Sequence, residues 1–278
     1  MESCIKNTSN HGRVYWMTDG KTEVAVALDF GIRIVHLSCL GLENLYYEQP
    51  ADLSDGFGTP DTWKLRGGHR MWLAPEGEHS YHPDDDPVSI TPLENGVLVE
   101  QPLDPLQNIV KTLQITFCEN GAVRLDHSFR NAGDIPITGA SWGVNTLDGY
   151  GTVTVGFAGE DGFTPTRAVS LWGDTNLHDS RVRFTADSVT ANHAPTKDYF
   201  KLGIYSRSGK AVFQNKGQQL VLEYAVPPME QLPDGGCNFE LYMDEKFLEM
   251  EVLGTVTQIL PGEAACHTEY LTVTRIAN

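Results

Sequence analysis

An all-β fold of sandwich type is what this sequence predicts, on three observations. Turn residues of hairpin type fall between alternating apolar runs. Candidate strands recur at roughly 8–12-residue spacing, the rhythm of sandwiches and barrels. No long window shows the 3.6-residue apolar period of a helix. In chain order, residues 22–28 and 32–37 alternate or run apolar around Asp29-Phe30-Gly31. Runs 97–100, 109–117 and 122–129 follow, separated by Glu94-Asn95-Gly96 and Glu119-Asn120-Gly121, the strongest short hairpin signals in the chain. Further strands are expected at 137–143, 151–157, 181–190, 200–206, 210–214, 218–226, 237–244, 247–253 and 265–275. Ser208-Gly209 and Pro261-Gly262-Glu263 supply turn chemistry between several of them. Segment 50–92, proline-rich and dense in polar groups, reads as a long functional loop.

Composition narrows the function more by exclusion than by selection. A net charge of −17 repels phosphate backbones, so no nucleic-acid partner is expected. No apolar run reaches the length of a membrane-spanning helix. Five cysteines (Cys4, Cys39, Cys118, Cys237, Cys266) without a C-x-x-C pair read as free thiols of a reducing compartment. The first residues lack the apolar core of a signal peptide, and a cytoplasmic location is the expectation. With no Pro/Ser linker and no internal repeat, the whole span 1–278 is expected to be one domain.

Residues 65–76, Leu-Arg-Gly-Gly-His-Arg-Met-Trp-Leu-Ala-Pro-Glu, concentrate the chemistry. The guanidinium forks of Arg66 and Arg70 suit hydroxyl and carboxylate oxygens. Trp72 offers a plate for the C–H face of a sugar ring. His69 is a candidate proton donor near neutral pH, and Glu76 a further polar contact. The second informative segment is 247–253, Phe-Leu-Glu-Met-Glu-Val-Leu. In a strand, Glu249 and Glu251 share a face at about 7 Å and raise each other's pKa toward the range of a general base. The preceding Glu240, Tyr242 and Asp244 alternate in the same way. From pattern alone, a solvent-facing acidic surface is favoured over a hydroxyl-binding one.

Three other patterns point to the blander reading. Gly139-Ala-Ser141-Trp-Gly143 fits a nucleophile elbow, but no helix follows the serine. His79, His82, Asp84, Asp85 and Asp86 could ligate a metal, yet their spacing matches neither a zinc site nor a calcium loop. Tyr46, Tyr47 and Trp16 read as core or rim aromatics. No cofactor and no metal is expected.

These segments also resemble the aldose 1-epimerase (galactose mutarotase) family. Gly31-Ile-Arg-Ile-Val-His36-Leu with Glu43-Asn-Leu45 is similar to the family's opening. Arg66-Gly-Gly-His-Arg resembles the Arg-Gly-Gly segment of its hexose-phosphate epimerase branch. The carboxylate strand 247–253, then Leu260-Pro-Gly-Glu263 and His267-Thr-Glu-Tyr270, looks like its C-terminal pattern. The motifs fall in order from about residue 22 to 275, and the Gly-Gly-His-Arg combination is most similar to a subfamily that shares it.

The resemblance implies a β-supersandwich that binds a small sugar or saccharide on a concave sheet face. It also implies ring opening by a glutamate base and a histidine acid. Glu251 matches the glutamate, Asp198 loosely matches a substrate-binding carboxylate, and Arg66, Arg70, Trp72, Glu76 and Glu249 would be substrate contacts. One departure stands out: after Asn131-Ala-Gly-Asp-Ile-Pro136 the family places its acid histidine, and here none occurs between His127 and His178. His69 is the expected substitute. The alternatives are a non-catalytic sugar-binding or sensing domain on the same fold and, further off, a saccharide lyase or hydrolase.

Overall fold

The computed structural model describes residues 1–50, 63–157, 163, 167–173 and 175–276. Strands β1 (Glu2–Thr8), β2 (Gly12–Thr18), β3 (Thr22–Ala27), β4 (Arg33–Cys39) and β5 (Gly68–Ala74) build one side of a first sheet. The hairpin series β6 (Ser89–Leu93), β7 (Gly96–Glu100), β8 (Ile109–Phe117) and β9 (Val123–Asn131) starts a second sheet. The chain then alternates between the two. β10 (Ile137–Asp148) lies beside β5, β11 (Thr152–Gly156) joins the second sheet, and β12 (Val169–Leu171) edges the first. β13 (Val182–Phe184) and β14 (Ser188–Asn192) belong to the second sheet, β15 (Phe200–Ile204) to the first. β16 (Lys210–Asn215) and β17 (Gln218–Tyr224) return to the second, while β18 (Phe239–Met243) and β19 (Phe247–Leu253) complete the first. β20 (Thr257–Ile259) pairs with β10, and the long β21 (Ala264–Arg275) closes the second sheet.

The first sheet runs β1-β2-β3-β4-β5-β10-β19-β18-β15-β12, the second β13-β14-β11-β16-β17-β21-β9-β8-β7-β6. Both expected Asn-Gly turns join adjacent strands, β6 to β7 and β8 to β9. The all-β prediction therefore stands. Its main correction lies in 50–92, where residues 68–74 form a central strand instead of loop. The expected strand 181–190 is broken by a turn into β13 and β14, and β10 runs on to Asp148.

One continuous apolar layer fills the space between the sheets, with Ile34, Leu113, Phe129, Leu147, Leu202, Phe213 and Met250 among its members. A second cluster (Trp63, Leu65, Trp72, Trp142, Val144, Phe247) covers the outer face of the first sheet. Strands β5 and β19 are buried along their full length because they are covered on both sides. That explains why β5 reads as loop in the sequence: a strand packed on two faces need carry no wet/dry alternation. Entry into β5 is glycine-dependent. Gly67 and Gly68 have φ of +80° and +77°, and a Cβ on Gly67 would fall on the Tyr47 carbonyl oxygen. No helix among the described residues is long and apolar enough to cross a membrane.

Candidate functional site

Side chains alternate across a strand, and three adjacent strands, β5, β10 and β19, point theirs at the outer face of the first sheet. β5 contributes Arg70 and Trp72, β10 contributes Trp142 and Thr146, and β19 contributes Phe247, Glu249 and Glu251. β18 and β15 add Tyr242 and Lys201, and loops add Trp63, Glu76, Tyr81 and Tyr199. All of these but Thr146 line a cavity of about 300 Å3. A larger cavity of about 660 Å3 lies near β17 and β21, where Glu223, Cys266, His267 and Thr268 contribute to its walls. The smaller one concentrates the aromatic plates and paired charges that chemistry on a polar ligand needs.

Two ionic groups floor the smaller cavity. In the first, Arg70 Nη1 donates to Glu249 Oε1 at 2.8 Å and to Thr146 Oγ1 at 2.7 Å, and the Thr146 hydroxyl donates to the same Glu249 oxygen at 2.6 Å. The guanidinium lies 4.2 Å from the centre of the Trp72 ring, a cation–π contact that holds the indole as a plate. In the second, Lys201 Nζ sits 2.9 Å from Glu240, 3.4 Å from Glu251 and 3.8 Å from Glu76. Trp142 Nε1 donates to Glu251 Oε2 at 3.0 Å. Among the described residues, Glu251 Oε1 has no hydrogen-bond partner although it is buried. An acceptor left bare in this way is costly unless a ligand satisfies it.

The electrostatics follow from burial. Glu251 titrates above the ordinary carboxylate range because desolvation outweighs the attraction of Lys201, with Glu249 adding repulsion. Glu240, sealed from solvent, is raised further for the same reason. Burial alone would depress Lys201, but Glu251, Glu240 and Glu76 together hold its ammonium well above the usual range. Burial also raises Tyr81 and Tyr242, so neither hydroxyl is a ready proton donor.

The structure brings together Arg70, Trp72, Glu76, Glu249 and Glu251, residues drawn from segments far apart in sequence. Glu249 and Glu251 do share a face, but it is covered, with exposures of 6% and 1%, so the solvent-facing reading is corrected. Three expected contacts lie elsewhere. Arg66, at the left-handed φ of 60°, pairs with Asp85 and stacks on Phe30, outside the cavity. Asp198 is exposed, its carbonyl accepting from Arg181 at 2.9 Å. His69 is the serious correction. It precedes Arg70 in the same strand and so projects from the opposite face, into the space between the sheets, with no exposure. There its Nδ1 meets Asn145 Oδ1 at 3.1 Å and its Nε2 meets His127 Nε2 at 2.8 Å. Burial depresses its pKa. His69 cannot reach a ligand held by Glu251, and its role as the acid is withdrawn.

Sequence reasoning missed Lys201, Trp142, Trp63, Tyr81 and Tyr199. Lys201 and Trp142 occupy alternating positions in expected strands, but nothing local marks those faces as the ones lining a cavity. Ser141 stands inside β10, with strand on both sides, so the nucleophile-elbow geometry is absent. Two of the three acids of the 79–86 loop are taken up by cations: Asp84 pairs with Arg33 at 2.8 Å and Asp85 with Arg66 and Lys64.

No family model matches the chain, and no curated protein does. Solved structures do. A putative aldose 1-epimerase from Escherichia coli K12 superposes with a TM-score of 0.63 at 11% identity, over 95% of this chain and 99% of that one. A putative mutarotase from Salmonella typhimurium gives 0.60 at 10% identity, over 98% and 94%. A galactose mutarotase-like protein from Lactobacillus casei gives 0.55 at 11%, over 94% and 100%. At such identities the likeness establishes the fold, which is the galactose mutarotase-like β-sandwich.

Proposed function

We propose that the chain, acting as one domain, binds a neutral saccharide in the β5–β10–β19 cavity, with Glu251 as the base for proton transfer at an anomeric hydroxyl. The observation that carries the reading is the pairing of Trp72, Trp142 and Trp63 with two buried ionic groups and one unpartnered carboxylate oxygen in a single 300 Å3 space. Indole plates take the apolar face of a pyranose, and charged hydrogen-bonding groups take its hydroxyls. Three lining carboxylates (Glu76, Glu249, Glu251) oppose two cations (Arg70, Lys201), so the cavity disfavours sugar phosphates and uronates. The mutarotase-like fold supports the same substrate class by analogy.

A second reading, recognition without turnover, is favoured by one observation: among the described residues, no imidazole lines this cavity. A positioned acid or base contributes about 10²–10⁴-fold each, so a site with the base alone is slow. Calorimetric titration with neutral hexoses, disaccharides, a uronate and a hexose phosphate tests binding. The expected result is binding of neutral sugars, weakened about tenfold by Trp72→Ala. Polarimetry then separates the readings: slow anomer interconversion abolished by Glu251→Gln supports the base, and binding without interconversion supports pure recognition. No binding across the panel overturns both.

A further inference from the structure

The polar group that excludes His69 from the cavity has a chemistry of its own. His69 (β5) belongs to the first sheet, while His127 (β9), His267 and Glu269 (β21) belong to the second. They meet in the middle of the sandwich. His69, His127 and Glu269 are all fully enclosed, and one ligand-type atom from each lies within 4.8 Å of the others. His69 Nε2 is 2.8 Å from His127 Nε2, which is 3.9 Å from Glu269 Oε1. His267 Nε2 is 2.9 Å from that same oxygen, and its ring stacks on His127 at 4.1 Å.

Hydrogen bonding around the cluster fixes where the lone pairs point. Asn145 Nδ2 donates to Glu269 Oε2 at 3.4 Å, so Asn145 Oδ1 is free to accept, and it takes the Tyr46 hydroxyl at 3.0 Å and His69 Nδ1–H at 3.1 Å. His69 Nε2 is thereby left as a lone pair aimed at His127. If His127 carries its proton on Nε2 it fills that gap, but its buried Nδ1 is then a lone pair with no donor among the described residues. If it carries the proton on Nδ1, two lone pairs face each other at 2.8 Å. Either arrangement leaves a deficit beside a buried carboxylate. A cation at the convergence point of the two Nε2 atoms and Glu269 removes it.

We propose that His69, His127 and Glu269 bind a first-row transition-metal dication of zinc type between the two sheets, with His267 Nε2 hydrogen-bonded to the Glu269 ligand oxygen beside it. Imidazole and carboxylate ligands at about 2.0–2.2 Å from a tetrahedral ion lie about 3.3 Å from one another, a value the 2.8 and 3.9 Å separations bracket. The outer shell has the form such sites use: the distal nitrogen of His69 and the free oxygen of Glu269 are both held by Asn145. Room for the group is made by Gly143, where a Cβ would overlap Glu269 Oε1 and come within 3.2 Å of His69 Cε1. His267 also lines the 660 Å3 surface cavity, so one ring separates the cluster from solvent. Closed on all sides, the site would be structural, a cross-link between sheets whose occupation is coupled to folding.

The test uses tag-free full-length protein, unfolded in chelator and refolded with Zn2+ or Co2+. Expected are one ion bound per chain, visible absorption bands of tetrahedral Co2+, and a melting temperature several degrees above that of the metal-free protein. His69→Ala and Glu269→Gln lose the bands and the shift, whereas His79→Ala, in the outer loop, keeps them. Should His69→Ala fail to fold, the near-isosteric Glu269→Gln and the wild-type stoichiometry still decide the matter. Wild-type protein that refolds without taking up either ion, or binding that survives Glu269→Gln unchanged, overturns the proposal and leaves the cluster as a proton-bonded network.

Discussion

Replacing Lys201 with methionine removes the cation shared by Glu240, Glu251 and Glu76 while keeping most of the side chain's length. Glu240 and Glu251 are 0% and 1% exposed, so water replaces little of what the ammonium supplies. Each must then become neutral in the folded protein or leave the interior. Protonating a carboxyl whose ordinary pKa is 4.5 costs about 3.4 kcal/mol at pH 7 and about 0.7 kcal/mol at pH 5. The penalty of Lys201→Met should therefore grow between pH 5 and pH 7, by up to about 2.7 kcal/mol for each carboxyl that is charged in the wild type. The sign follows from linkage. A carboxyl whose folded pKa is raised contributes its full stability below the unfolded value and loses it as the pH rises. Urea unfolding of the wild type and the variant at both pH values measures the difference directly. A penalty equal at pH 5 and pH 7 would refute the claim that the Lys201 ammonium offsets the burial of these carboxylates.

Arg70→Met strands Glu249 beside Thr146 and should cost about 3–5 kcal/mol, most of it recovered in the Arg70→Met/Glu249→Leu double variant, as a thermodynamic cycle of urea unfolding would report. His36, packed on Trp16 and pushed down to about 4 by burial, stays neutral in the fold. Because the unfolded chain takes up its proton first, stability should fall by about 3 kcal/mol as the pH drops from 6.5 to 4, and His36→Gln should flatten that part of the curve. Gly143→Ala drives a methyl into Glu269 and should cost about 1–3 kcal/mol in urea unfolding, with an unchanged stability counting against the tight packing inferred there.

The alternation of side chains along a strand was enough to place Glu249 and Glu251 on one face, because that relation depends only on the local pleat. Asn95-Gly96 and Asn120-Gly121 likewise located two hairpins from short-range turn chemistry alone. The same pleat already separates His69 from Arg70, yet the separation was hidden while 65–76 read as a loop. A strand buried on both faces shows no alternation between apolar and polar positions, so Gly68–Ala74 carried no visible period. What only the tertiary structure decided is which face closes over a cavity and which faces the opposite sheet. Lys201 reaches Glu251 across fifty residues, and His69 reaches His127 across the sandwich, through strand order and sheet packing. Those contacts are set by the stacking of elements remote in sequence, and no local pattern in the chain encodes them.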